Sequence, residues 1–211
     1  MTETLSRWYE IAPARVVNRT AAMGSNFSKP YQVQLIRVQG LATPEPLITN
    51  DPDLVREFHA RHGRVIYKSI SGVRSIVKSL EPGDFHRLEQ IRWCPTQFQE
   101  FVEGNDIRVH VVDSKVFATI ILSEATDYRY AHRQGREAEL QPFDLPEELA
   151  KKCIRLARAL ALPFAGIDLK ITSDRRVYCF EVNPSPAFSY YESHTGQPIA
   201  RAVAEYLAGV D

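Results

Sequence analysis

Apolar residues recur in two rhythms along this chain. Spacing of three to four marks helices, while alternation and short apolar runs mark strands. Lys29 to Val38 is expected to be a helix with Pro30 in its first turn. Asn50-Asp51-Pro52 opens a second helix with a side-chain cap and an early proline, and Gly63 ends it after His62. Leu149, Cys153, Leu156, Ala157 and Leu160 form a helical stripe after Pro146. A last helix begins at Pro198 and places Ile199, Ala202, Val203 and Tyr206 on one face.

The strand-like runs are residues 14–18, 43–49, 64–69, 75–80 and 96–102. Residues 107–112 and 116–122 read as a hairpin around Asp113-Ser114-Lys115, and 165–172 with 176–182 as another. Hairpins predominate, so the expected class is α+β, with mainly antiparallel sheets and helices on one face. A boundary near Gly104 would give two lobes.

Composition narrows the setting. The 211 residues suffice for one large domain or two small lobes. The formal net charge is zero, which gives no general attraction to nucleic acid or an anionic membrane. No apolar run approaches the roughly 20 residues of a spanning helix, and the first ten residues lack a signal-peptide core. Cys94, Cys153 and Cys179 lie far apart without paired metal-ligand spacing, so reduced thiols in a cytoplasmic protein are expected. His59 and His62 fall on a predicted helix and read as surface residues rather than ligands.

Candidate chemistry lies on the second hairpin. Strand alternation sends Asp168 and Lys170 to one face and Ile167, Leu169 and Ile171 to the other. On the partner strand Cys179, Glu181 and Asn183 share a face, and a short turn near Asp174 and Arg175 sets Asp168 opposite Glu181. Two carboxylates and an amide oxygen suit Mg²⁺ or Mn²⁺, and adjacent carboxylates repel without a cation between them. The same alternation also describes a solvated polar face with Lys170 against Glu181. Pro184-Ser185-Pro186 ends the ladder abruptly.

Cations precede this hairpin. Lys68 ends the apolar strand Val65-Ile66-Tyr67, before Ser69-Ile70-Ser71-Gly72, where a lysine and open backbone amides can meet a phosphate. An ordinary hairpin with a glycine turn fits this segment equally, and the spacing is not that of a Walker A loop. Gln99-Glu100-Phe101-Val102 is an edge able to read adenine. Asp106 and Arg108 alternate with Ile107 and Val109, and Arg129 is one more cation.

In order, Ser28-Lys29-Pro30, Val65 to Ser69, Gln99 to Val102, Asp106-Ile107-Arg108, Thr126 to Arg129, Gly166-Ile167-Asp168 and Phe180 to Pro184 resemble the ATP-grasp superfamily, RimK-like branch of carboxylate–amine ligases. The resemblance spans residues 16–208. It implies an ATP-grasp fold of two lobes with ATP between them, residues 29–103 and 104–211, after a remnant at 1–28. Lys29 and Lys68 match the phosphate lysines, Ser69, Ser71 and Gly72 the closing loop, and Glu100, Phe101 and Val102 the adenine hinge. Asp106 matches a residue near the ribose. Asp168, Glu181 and Asn183 match the metal ligands, and Arg108 and Arg129 the catalytic arginines.

The activity implied is an ATP-dependent ligase that makes an acyl phosphate and joins it to an amine of an amino acid or peptide. The alternative is a nucleotide-binding module without ligase chemistry. Family members usually carry a further N-terminal domain, and only about 28 residues precede Lys29 here. Either a small or peptide substrate then binds on the remaining lobes, or a homodimer mate or partner chain supplies the missing substrate wall.

Overall fold

The computed structural model describes residues 2–69, 77–122 and 139–210, with Thr2, Glu3, Ser6, Phe27 and Ser69 described by backbone alone. The first elements are α1 (Thr2–Ile11), α2 (Thr20–Met23), a 3₁₀ turn (Gly24–Phe27) and α3 (Lys29–Val38). Next come β1 (Pro46–Thr49), α4 (Pro52–His62), β2 (Val65–Ser69), β3 (Lys78–Ser79), a 3₁₀ segment (Pro82–Trp93) and β4 (Thr96–Glu100). Then follow β5 (Asn105–Val112), β6 (Lys115–Leu122), β7 (Glu139–Pro142), α5 (Glu147–Ala159), β8 (Phe164–Ile171), β9 (Val177–Asn183), α6 (Ser189–Thr195) and α7 (Ile199–Ala208). The class is α+β with two antiparallel sheets, as the hairpin pattern predicts.

The chain divides into two compact units, residues 44–103 and residues 1–43 with 104–211. The helix α3 lies in the larger unit and packs on β9. The cause is long-range: the buried Gln32 side chain bonds to the β9 backbone, a contact no local pattern carries.

The smaller unit holds the sheet β1-β4-β2-β3. Asp51 caps α4 by accepting from the Asp53 N–H at 2.9 Å, and Gly63 closes the helix with φ 71°. One face of the sheet is apolar: Val65 and Phe98 pack with Val55 and Phe58 of α4, and with Leu80 and Leu88.

The larger unit holds the sheet β7-β6-β5-β8-β9. Helices cover both of its faces, not one. Ile107, Val109 and Val111 of the central strand β5 face Ile36 of α3 and the α5 stripe Leu149, Cys153, Leu156 and Ala157. Val112 faces the other way, against Phe164, Tyr191 of α6 and Ile199 and Ala202 of α7. Residues 14–18 form no strand. The Asn18 side chain instead takes up strand bonding: its amide donates to Phe164 O and Pro184 O, both at 2.6 Å, and its oxygen accepts from the Phe164 N–H.

Gly104 has φ 155°, and a Cβ there would stand 2.4 Å from the Ile171 carbonyl oxygen. Gly104→Ala should therefore destabilise the protein by about 2 kcal/mol or more. A thermal melt unchanged within a degree would overturn this.

Candidate functional site

The polar end of the β5–β8–β9 sheet gathers most of the candidate residues of the larger unit. Register sets Arg108 of β5 opposite Asp168 of β8, and Asp168 opposite Glu181 of β9. Asn183 stands one step on, opposite Gly166. Arg108 donates from Nη1 to Asp168 Oδ1. Lys29 Nζ lies 2.8 Å from Glu181 Oε2 and donates also to Asn26 Oδ1 at 2.8 Å. Lys170 Nζ lies 3.1 Å from Asp106, not against Glu181. Each carboxylate of the row thus has a cation beside it.

Plain alternation placed Cys179 with Glu181 and Asn183, and this is corrected by a β-bulge. Asp168 pairs with Glu181 but Leu169 pairs with Cys179, so Phe180 is an extra residue. The bulge flips the parity of the strand: Cys179 is fully buried in the core, while Glu181 and Asn183 keep the polar face. Burial pushes the Cys179 thiol up, and the Cys153 thiol up to about 12, so both stay protonated within the apolar core.

Arg108 is held by neighbours to which the sequence assigned no role. A Cβ on Gly166 would lie 2.6 Å from the Pro186 Cβ and 2.8 Å from Arg108 Nη2. Only a glycine leaves the guanidinium this path across β8. Arg108 lies over the Tyr191 ring at 5.6 Å, and His110, two residues on, meets the same ring at 4.9 Å. His110 Nε2 donates to Ala187 O at 3.3 Å, as the neutral ring requires. Burial first, and the Arg108 charge second, push His110 down to about 3. The signal for Gly166 lay in its place two residues before Asp168. The signal for His110 lay in its shared face with Arg108.

In the smaller unit, Lys68 stands opposite Gln97 on the sheet face away from Val65 and Phe98. Glu100 is turned to the opposite face, towards α4, with its carboxylate 3.3 Å from His62 Nδ1. His62 also lies 3.3 Å from Glu45, so it sits between two carboxylates and is not the plain surface residue expected. The Glu100 N–H donates to Glu45 O and the Phe101 N–H to Arg64 O, so both hinge amides are used within the unit. Phe101 stacks under Arg64 at 3.7 Å, and Val102 is buried. Ser71, Gly72 and Arg129, and the side chain of Ser69, lie outside the described residues.

Among the described residues no group of three His, Cys, Asp or Glu side chains could hold a metal by itself. Asp168 and Glu181 are two hard anionic donors, and Asn183 adds an amide oxygen that accepts from the Ser185 N–H at 2.9 Å and keeps a second lone pair. That set fits Mg²⁺ or Mn²⁺ shared with phosphate oxygens, and does not fit a closed site for a softer metal.

A family model described as the RimK-like ATP-grasp domain matches residues 31–207. The chain belongs to the RimK-like ATP-grasp family. A probable alpha-L-glutamate ligase of Shewanella pealeana is 25% identical over 96% of this chain, which spans 46% of that relative. The ATP-grasp ligase PsnB, solved with minimal precursor, Mg and ADP, is 32% identical with a TM-score of 0.83, over 100% of this chain and 68% of that one. The macrocyclase MdnC of Microcystis aeruginosa MRC, solved with precursor peptide MdnA, is 26% identical with a TM-score of 0.80, over 98% and 69%. The ATP-grasp fold is thus established. Among the described residues no helix is long and apolar enough to cross a membrane.

In this ATP-grasp chain the neutral state of His110 has a measurable cost. The unfolded chain protonates His110 near pH 6.5 and the folded chain near 3, so the stabilising difference is complete above pH 6.5 and is lost as pH falls. The slope is at most about 1.4 kcal/mol per pH unit. Denaturant melts at pH 7 and pH 5 should show a drop about 2 kcal/mol smaller in His110→Gln than in the wild type. Equal drops would show that His110 does not titrate on unfolding.

Proposed function

We propose that this chain acts as an ATP-dependent ligase that activates a carboxylate as an acyl phosphate and joins it to an amine. The observation that carries the reading is the paired row on β8 and β9, where Asp168 and Glu181 are register neighbours with Arg108 and Lys29 beside them. Adjacent carboxylates matched by cations from β5 and α3 suit a metal–triphosphate better than a solvated face.

In the proposed site Asp168, Glu181 and Asn183 hold the divalent ion. When bound, the ion neutralises charge on the phosphates. Lys29 and Lys68 are each assigned to phosphate oxygens, and the assignment of Ser69, Ser71 and Gly72 to the phosphate loop rests on the resemblance alone. Adenine is read at the Val102 end of the Glu100–Val102 segment, because the Glu100 and Phe101 amides are already bonded. Asp106, tied to Lys170, lies near the ribose.

Arg108, with Arg129, stabilises the charge that spreads over the transferring phosphoryl group. A carboxylate oxygen attacks the γ-phosphorus, the bond to the bridging oxygen breaks, and ADP leaves. The amine then attacks the acyl carbon, the amide forms, and phosphate departs with the proton balance met by solvent.

The carboxylate and amine belong to an amino acid or peptide, in keeping with the glutamate-ligase name of the Shewanella relative and the precursor peptides held by PsnB and MdnC. A cytoplasmic setting supplies the ATP.

Purified protein with ATP and Mg²⁺ should release ADP only when a carboxylate co-substrate is added, screened over amino acids and acidic peptides. Glu181→Ala and Asn183→Ala should each lower the rate at least about 100-fold with the fold intact. Wild-type turnover in both would sink the ligand assignment. ATP-dependent stabilisation without ADP formation under any mixture would favour the binding module. Lys68→Met should weaken ATP binding about tenfold by calorimetry, and unchanged affinity would leave Lys68 without a phosphate role.

A further inference from the structure

β9 is the edge strand of its sheet, and it carries two of the three proposed ligands. It also carries the bulge at Phe180, immediately before Glu181. An edge strand with an inserted residue is held on one side only, and its side chains wander unless the open side is also bonded. Here the open side is bonded at two places that bracket the bulge. Before it, the Cys179 N–H donates to Ala42 O at 2.7 Å. After it, Gln32 acts as a substitute peptide group: its Nε2 donates to Val182 O at 2.8 Å and its Oε1 accepts from the Val182 N–H at 3.0 Å.

Val182 lies between Glu181 and Asn183, and Gln32 is 1% exposed. A two-point bond at that residue fixes both the height and the rotation of the backbone that aims the two side chains. Gln32 also stands one helical turn after Lys29 on α3, on the same side of the helix. The Lys29 ammonium 2.8 Å from Glu181 and the clasp on Val182 therefore both come from one helix.

We propose that Gln32 is a positioning residue that locks the Lys29 helix onto the ligand strand, so that the phosphate lysine and the metal ligands keep one fixed spacing. This rests on the reading of Asp168, Glu181 and Asn183 as metal ligands. Gln32 touches no reacting atom. It acts through Val182 on its neighbours, as outer-shell partners act on metal ligands, whose loss typically costs about 10–100-fold in metal affinity.

The test uses the full chain, with Mn²⁺ as the probe ion and ADP as the nucleotide. Mn²⁺ binding is read by electron paramagnetic resonance in the presence of ADP, and ADP binding by calorimetry without metal. Gln32→Met keeps the length of the side chain and removes both hydrogen bonds. It should weaken Mn²⁺ binding about 10–100-fold, and leave metal-free ADP affinity far less changed, within about threefold. A general loss of folding would lower both together.

Gln32→Glu keeps the acceptor for the Val182 N–H and loses the donor to its carbonyl. It should fall between Gln32→Met and the wild type, and it decides alone if Gln32→Met does not fold. Mn²⁺ affinity within twofold of wild type in the folded variants overturns the positioning role. A wild type that binds no Mn²⁺ with ADP overturns the ligand assignment itself, and the inference falls with it.

Discussion

Two carboxylates on neighbouring strands, Asp168 and Glu181, impose the constraint around which the larger unit is built. Their mutual repulsion in a partly buried setting must be offset by positive charge close by. The fold meets that demand from two directions. Arg108 reaches Asp168 from the central strand β5, and Lys29 reaches Glu181 from the N-terminal end of α3. Gly166 leaves the space through which the guanidinium passes. Tyr191 and His110 pack behind it, and His110 must stay neutral, since a second positive charge next to Arg108 would be buried.

On the proposed reading this arrangement is a charge relay between partners rather than a set of permanent ion pairs. With a divalent ion held by Asp168 and Glu181, Arg108 and Lys29 would be released to meet phosphate oxygens. Both ion pairs are partly exposed on the carboxylate side, so water and ligand can reach them. Arg108 is the more buried of the two cations, with 7% of its side chain exposed against 22% for Lys29. The less buried lysine is the one better able to follow a phosphate, whereas the arginine is fixed on the rigid centre of the sheet.

Much of this was legible in the sequence where local rules decide. The helices at Lys29–Val38 and Pro52–His62 carry their own start and stop signals in Pro30, Asp51, Pro52 and Gly63. Strand alternation was enough to set Asp168 against Glu181. It misplaced Cys179, because one extra residue at Phe180 reverses the parity and nothing in the residue types announces a bulge. Residues 14–18 have the apolar character of a strand, yet Asn18 spends its side chain on Phe164 and Pro184, more than 140 positions away in sequence. The 3₁₀ segment Pro82–Trp93 has no apolar period to detect, and β7 is an edge strand of four residues. The pairing of Glu100 with His62 likewise depends on which face β4 turns towards α4, a question of tertiary packing.

The placement of functions across the sheet follows from strand position. A central strand is bonded on both sides and loses little by carrying a large buried cation, which the paired backbone keeps in line. An edge strand offers open access, and β9 uses it to present Glu181 and Asn183 where α3 can also approach. Access and rigidity conflict at such an edge, because the groups that would hold the strand still are the ones left unpaired. In β9 that conflict is resolved by side chains and loop backbone borrowed from before the sheet in sequence. Ala42 and Gln32 bond the outer side of β9 at Cys179 and Val182 without adding a strand that would close the site. The same α3 helix delivers Lys29, so the element bonded to Val182 also brings a cation to the neighbouring Glu181.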